Sequence, residues 1–263
     1  MDIYFCSFAD SRMSASLSRI KEQALAFDMF KEVYVIDENG LDSSFRDHYK
    51  DKLILGSRGY GYWMWKPYLL QRMLDYVADG DIIIYADAGC HLNANGKQRL
   101  CTYIDVLVKN EAGLLLFSQE GLLERCWTKG DVFDYFGVRH DMTISDSAQR
   151  AGTVLFIQKK STSENIIREW NQAYESDFSL IDDTPSHSPN LDGFVEHRHD
   201  QSILSILSKL RGAAFLPVSE IYAQDWDTIS DHPILAKRDK KLKLFYLLSR
   251  KYHTACRILR KLF

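Results

Sequence analysis

Five cysteines (Cys6, Cys90, Cys101, Cys126 and Cys256) are few for 263 residues, and their number is odd with no Cys-x-x-Cys pair. That pattern supplies neither a disulfide framework nor a structural zinc site, and it predicts a reducing cytosol. Apolar residues never run for the ~20 positions needed to span a bilayer. The chain enters a strand-like segment directly after Met1-Asp2, so no signal peptide is expected. No Gly-x-Gly-x-x-Gly follows that segment, which counts against a dinucleotide cofactor, and no phosphate-cradling Gly-Lys-Ser/Thr occurs. An excess of one charge is also lacking: the net charge is -3, so the molecule as a whole is not a polyanion binder.

What is present is a globular composition. Hydrophobic residues at 46% and aromatics at 13% exclude general disorder. The length suffices for one large α/β domain or two small ones. Charge is unevenly spread. Residues 236–263 hold ten Lys or Arg and one acid, Asp239, a net of +9 that leaves -12 on the rest. Within this tail Leu244, Phe245, Leu247, Leu248, Ile258, Leu259 and Leu262 alternate with cations. That suits a helix lying on an anionic membrane surface, or one packed on the domain with a solvated basic rim. No Arg-rich RNA module or aromatic stacking platform accompanies it, so nucleic acid is not an expected partner.

The segments Ile3–Phe8, Val33–Ile36, Ile82–Tyr85, Gly113–Phe117, Ala151–Ile157 and Phe215–Val218 read as strands. The run Ile82–Tyr85 lacks polar alternation, as in a strand buried on both faces of a parallel sheet. Helical spacing is found from Ser14 to about Phe30, over Tyr68–Val77, Arg99–Lys109 and Glu164–Tyr174, and after Glu196. The chain therefore opens β-α-β with a short first loop.

Three stretches stand out chemically. Gly80–Gly89 carries Asp87 and Gly89 to the carboxyl end of a buried strand, where open α/β sheets bind ligands. A carboxylate beside a glycine suits a divalent cation on a diphosphate; it equally suits a helix cap or a turn. Arg58–Pro67 packs two glycines, two tyrosines, two tryptophans and two cations into ten residues. Lys66 would stand at a helix N-terminus, where phosphate is favoured; the other reading is a packed aromatic corner with a surface lysine. Glu196–Ser202 opens a helix, and Asp200 is either a first-turn carboxylate welcomed by the helix dipole or, with His199 and Gln201, a reacting group in the cleft. Residues 182–190 read as an exposed loop. Glu120, Trp127 and Lys129 are candidates for acceptor contacts, and His232 for a further metal ligand.

The combination Arg58-Gly-x-Gly-Tyr-Trp-x-Trp-Lys-Pro67, Tyr85-x-Asp87-Ala-Gly89 and His199-Asp200-Gln201-Ser resembles a bacterial glycosyltransferase of the GT-A type, of the kind that builds surface polysaccharide or lipopolysaccharide. The resemblance covers most of residues 1–235. It implies a GT-A-like α/β single domain, a mostly parallel, Rossmann-like central sheet flanked by helices, followed by a basic amphipathic helical tail over 236–263. It implies a nucleoside-diphosphate sugar donor, a saccharide or lipid-linked acceptor, and Mn2+ or Mg2+ on the diphosphate. Donor contacts would fall to Phe8, Asp10, Asp37, Arg58, Tyr62, Trp65, Lys66, Asp87 and Gly89. Asp87 and His232 would be the metal ligands, and Asp200 and Gln201 the catalytic residues. The sequence departs from the Asp-x-Asp motif of the family at Tyr85, which leaves one metal ligand missing. The expected location is cytoplasmic, peripheral on the inner membrane. Two rivals are a non-catalytic nucleotide-sugar or carbohydrate-binding protein and a phosphohydrolase with Asp87 as nucleophile. The latter chemistry wants a second Asp where Gly89 stands.

Overall fold

The computed structural model describes residues 1–239. The basic tail expected beyond them lies outside the described residues. Strands β1 (Ile3–Phe8), β2 (Glu32–Ile36), β3 (Ile82–Ala86), β5 (Leu114–Leu123), β6 (Ala148–Gln158) and β7 (Ala214–Pro217) form one sheet in the order β2-β1-β3-β6-β5-β7. A small ribbon pairs β4 (His91–Leu92) with β8 (Ile234–Leu235). In the main sheet β6 alone runs against its neighbours; the other pairings are parallel. The sheet is thus mixed and mostly parallel, as the sequence predicts.

The period-2 alternation of a strand sends neighbouring side chains to opposite faces. On one face Phe5, Ile82, Ile84, Leu115, Phe117 and Phe156 meet helices α1 (Ser14–Phe27) and α3 (Lys97–Lys109). On the other face Cys6, Ile83, Tyr85, Leu116, Leu155 and Ile157 meet α2 (Trp65–Tyr76), α4 (Ser161–Ser176) and α5 (Asp200–Leu210). All five residues of β3 are buried, because both faces of the central strand are covered.

Helix α2 starts three residues before the helical spacing suggests. Pro67 falls in its first turn, where a missing N–H leaves no bond unmade. Helix α1 stops at Asp28, whose φ of 54° is left-handed. Residues 236–239, placed with the tail by charge, are hydrogen-bonded to the domain: Ala236 N–H donates to Ile221 O at 2.7 Å, and Asp239 N–H to Gly89 O at 3.0 Å.

Candidate active site

The carboxyl ends of β1 and β3, the first half of β6 and the start of α5 surround a cavity of about 390 Å3. Its floor depends on the reversed strand. Because β6 is antiparallel to β3, Gly152 and Thr153 come to lie beside Asp87, whose N–H donates to Thr153 O at 2.9 Å.

At the centre is Lys66. Its ammonium lies 2.9 Å from Asp200 Oδ2, 2.9 Å from Gly152 O and 3.4 Å from Asp87 Oδ1, with its side chain 3% exposed. Burial pulls the lysine pKa down, but the two carboxylates outweigh it and hold the group protonated. Burial pushes the Asp200 carboxyl up to about 6, although Lys66 pulls the other way. Tyr85 OH donates to Asp87 Oδ1 at 2.7 Å, and burial first, then Asp87, raises its phenol well above the usual range. Tyr85 therefore stays neutral and serves as a donor to the carboxylate.

One wall is built by Gly59–Trp63. All five residues have positive φ: 60°, 52°, 81°, 54° and 63°. A left-handed turn costs an L-residue roughly 1–2 kcal/mol per position. The alternating glycines lower that cost, and contacts fix the rest. A Cβ on Gly59 would fall 2.4 Å from the Trp63 ring. Trp65 Nε1–H donates to Gly59 O at 2.9 Å, and Tyr62 OH to Asp183 Oδ2 at 3.0 Å. Trp65 also packs on Phe8, ring centroids 4.0 Å apart. The aromatic corner expected from the sequence exists, but its lysine is buried against two carboxylates rather than on the surface.

Phe8, Asp10, Arg58, Trp65, Lys66 and Asp87 line the cavity, as do Gly89, Asp200 and Gln201. Asp10 is held by Arg12, whose Nε–H donates to it at 2.8 Å. Arg58 reaches Asp183 at 2.9 Å and Glu196 at 2.6 Å across the cavity mouth. Gln201 accepts from Gly152 N–H at 3.1 Å and donates to Gln149 Oε1 at 2.6 Å, so both ends of its amide secure the floor. Gly89 admits backbone, and the backbone is the chain's own: a Cβ there would lie 3.3 Å from Arg238 Cα.

Other candidates lie elsewhere. Asp37 caps a 3-10 turn, accepting from Asn39 N–H at 2.9 Å, outside the cavity lining. Tyr62 belongs to that wall but does not itself line the cavity; its ring packs near His199. Glu120 is exposed on the far part of β5. Trp127 is covered by the Arg198 guanidinium at 4.2 Å. Lys129 is buried and donates to Asp182 O and Thr184 O at 3.3 and 3.1 Å, pinning the 182–190 loop. None of these three lines the cavity.

His232 bonds Asp231 at 2.9 Å and lies 3.7 Å from Glu220, likewise outside the cavity lining that includes Asp87. Among the described residues no three His, Cys, Asp or Glu side chains come together as a cation's donor set. The oxygens nearest to such a set, those of Asp87, Asp200 and Gly152, converge on the Lys66 ammonium instead. The described residues do not fit a resident divalent cation.

Gly152, Thr153, Trp63, His199 and Arg238 also line the cavity. His199, immediately before Asp200, has φ 55° and ψ -125°. A non-glycine backbone held there is strained, and its ring is anchored by Nδ1 at 2.6 Å from Ile181 O.

No family model and no curated protein matches the chain. Solved structures do. A glycosyltransferase involved in the glycosylation of the major capsid of PBCV-1 superposes with a TM-score of 0.52 at 10% identity, over 91% of this chain and 97% of that one. The apo structure of WbbM, a bifunctional glycosyltransferase, gives 0.50 at 12% identity, over 95% of this chain and 44% of that one. The galactosyltransferase LgtC, solved with donor and acceptor sugar analogs, gives 0.44 at 15% identity, over 93% and 85%. The structural neighbours are glycosyltransferases, and the architecture of this chain is the GT-A glycosyltransferase fold.

Proposed function

We propose that the protein transfers a sugar from a nucleoside-diphosphate sugar to a hydroxyl of a saccharide or glycolipid acceptor, in the synthesis of surface polysaccharide. The observation that carries this reading is the meeting of Lys66, Asp87 and Asp200 in one cavity at the carboxyl ends of β1 and β3. Ligands of open α/β sheets bind at that edge.

The base lies against Phe8 and Asp10. The diphosphate lies toward Lys66 and the cavity arginines, which stabilise the charge that develops as the glycosidic bond breaks. Preorganised charge of that kind is usually the largest catalytic term. Asp200, with its carboxyl near 6, is poised to take the acceptor proton near neutrality in an inverting transfer. In a retaining transfer it faces the oxocarbenium-like centre instead, and the anomeric configuration of the product tells the two apart. Gln201 positions the floor rather than the substrate.

A panel of nucleoside-diphosphate sugars, screened by thermal shift and then for donor hydrolysis and transfer, tests the reading. A ligand that binds the folded state alone raises its melting point. Binding without turnover of any donor would make the protein a nucleotide-sugar-binding protein instead.

A further inference from the structure

We propose that this site grips a diphosphate without a divalent cation: Lys66 takes the place of a metal ion among Asp87, Asp200 and Gly152 O and offsets the two carboxylates, and the cavity arginines, Arg238 foremost, meet the phosphates. The inference rests on the donor reading above and adds the way the donor is held.

The first argument is the donor set. A divalent cation of the Mg2+ or Mn2+ kind needs several oxygens converging on it. Two carboxylates and one backbone carbonyl do converge, and Lys66 Nζ stands among them at 2.9, 3.4 and 2.9 Å. An ammonium has three protons, and here three oxygens face it. The lysine cannot diffuse away, because its backbone is in the first turn of α2. The position where a second carboxylate would assist Asp87 is Tyr85, whose hydroxyl donates to Asp87 rather than offering a ligand.

The second argument is the charge around the cavity. Arg12, Arg58, Lys66, Arg198 and Arg238 line it, against the carboxylates of Asp10, Asp87 and Asp200. Asp183 and Glu196 engage Arg58, and Asp10 engages Arg12, which leaves Arg238 as the lining cation with no carboxylate set against it among the described residues. Arg238 makes no ion pair with any described residue, and its backbone is drawn to the cavity by the bond from Asp239 N–H to Gly89 O. Guanidinium groups match phosphate oxygens in planar, bidentate geometry.

Isothermal titration of the full-length chain with inorganic pyrophosphate, in EDTA and in excess Mg2+, tests the proposal. Saturable binding in EDTA is expected, and excess Mg2+, which itself complexes pyrophosphate, should tighten it by no more than about threefold, less than a single charged hydrogen bond is worth. Arg238→Ala, at an exposed position, is expected to weaken binding roughly tenfold, and Lys66→Met by at least as much. Pyrophosphate binding that appears only with Mg2+ overturns the proposal and leaves the donor reading standing. Absence of binding in both conditions overturns both. The wild-type comparison decides the matter whether or not Lys66→Met folds.

Discussion

Lys66 Nζ and Asp200 Oδ2 are 2.9 Å apart, and both side chains are buried. One comes from the first turn of α2 and the other is the first residue of α5, so the pair ties two distant parts of the chain across the cavity. Removing one partner leaves a buried charge uncompensated, at a typical cost of ~3–5 kcal/mol. Asp87 beside the pair retains part of that imbalance. Lys66→Met is therefore expected to lower the unfolding free energy by that order, read as a shift of the denaturation midpoint at constant slope. A loss below ~1 kcal/mol would mean that water already solvates the pair.

The Asp200 carboxyl sets a pH dependence. Its pKa in the folded chain, about 6, lies above that of an unfolded aspartate. Below both values each state is protonated and the group contributes nothing. Between roughly 4 and 6 the unfolded chain loses the proton first, so stability falls as pH rises, then levels off. Asp200→Asn should remove that slope from the measured stability. In turnover the same group should give an acidic limb with a midpoint near pH 6, and Asp200→Asn should lower the rate by ~10²–10⁴-fold. A rate within about tenfold of wild type would exclude proton transfer by this residue.

Gly59 and Gly80 both have positive φ, 60° and 84°, but their surroundings differ. Nothing lies within 4 Å of a Cβ added at Gly80, whereas at Gly59 it meets the Trp63 ring at 2.4 Å. Gly80→Ala should cost only the left-handed backbone term of ~1–2 kcal/mol. Gly59→Ala should cost more and displace Trp63, seen as changed tryptophan fluorescence with weaker pyrophosphate binding. Equal melting temperatures for the two variants would show that the wall yields freely.

The basic tail is expected to bind anionic membranes. Because Asp239 is ion-paired to Arg19 at 2.9 Å, the informative truncation ends after Asp239 and keeps that contact. This shortened chain should no longer co-sediment with phosphatidylserine vesicles, while the full chain does so less as salt rises. Equal sedimentation of both would assign the tail another role.

Much of the fold was legible from local pattern. The unbroken apolar run Ile82–Tyr85 announces a strand covered on both faces, and 3.6-residue spacing announces α1, α3 and α4. Asp87, Lys66 and Asp200 were legible because charged groups among apolar or aromatic neighbours demand partners. Gly152 and Thr153 were not. They acquire meaning only through the reversal of β6, which no local spacing encodes. Lys129, a candidate for acceptor contacts, lies outside the cavity lining, and its protons go to loop carbonyls. His232 likewise has the chemistry of a metal ligand, but the β4–β8 ribbon carries it to Asp231 and Glu220.

The Gly59–Trp63 wall has one further implication. Its backbone angles are those that a D-amino acid adopts without strain, so chirality as well as bulk decides what this segment accepts. A semisynthetic chain with D-alanine at position 61 would suit the local geometry, whereas its L-enantiomer would not. The cavity thus carries along one side a short stretch of mirror-image backbone, from which Gly59, Tyr60 and Trp63 contribute to its lining.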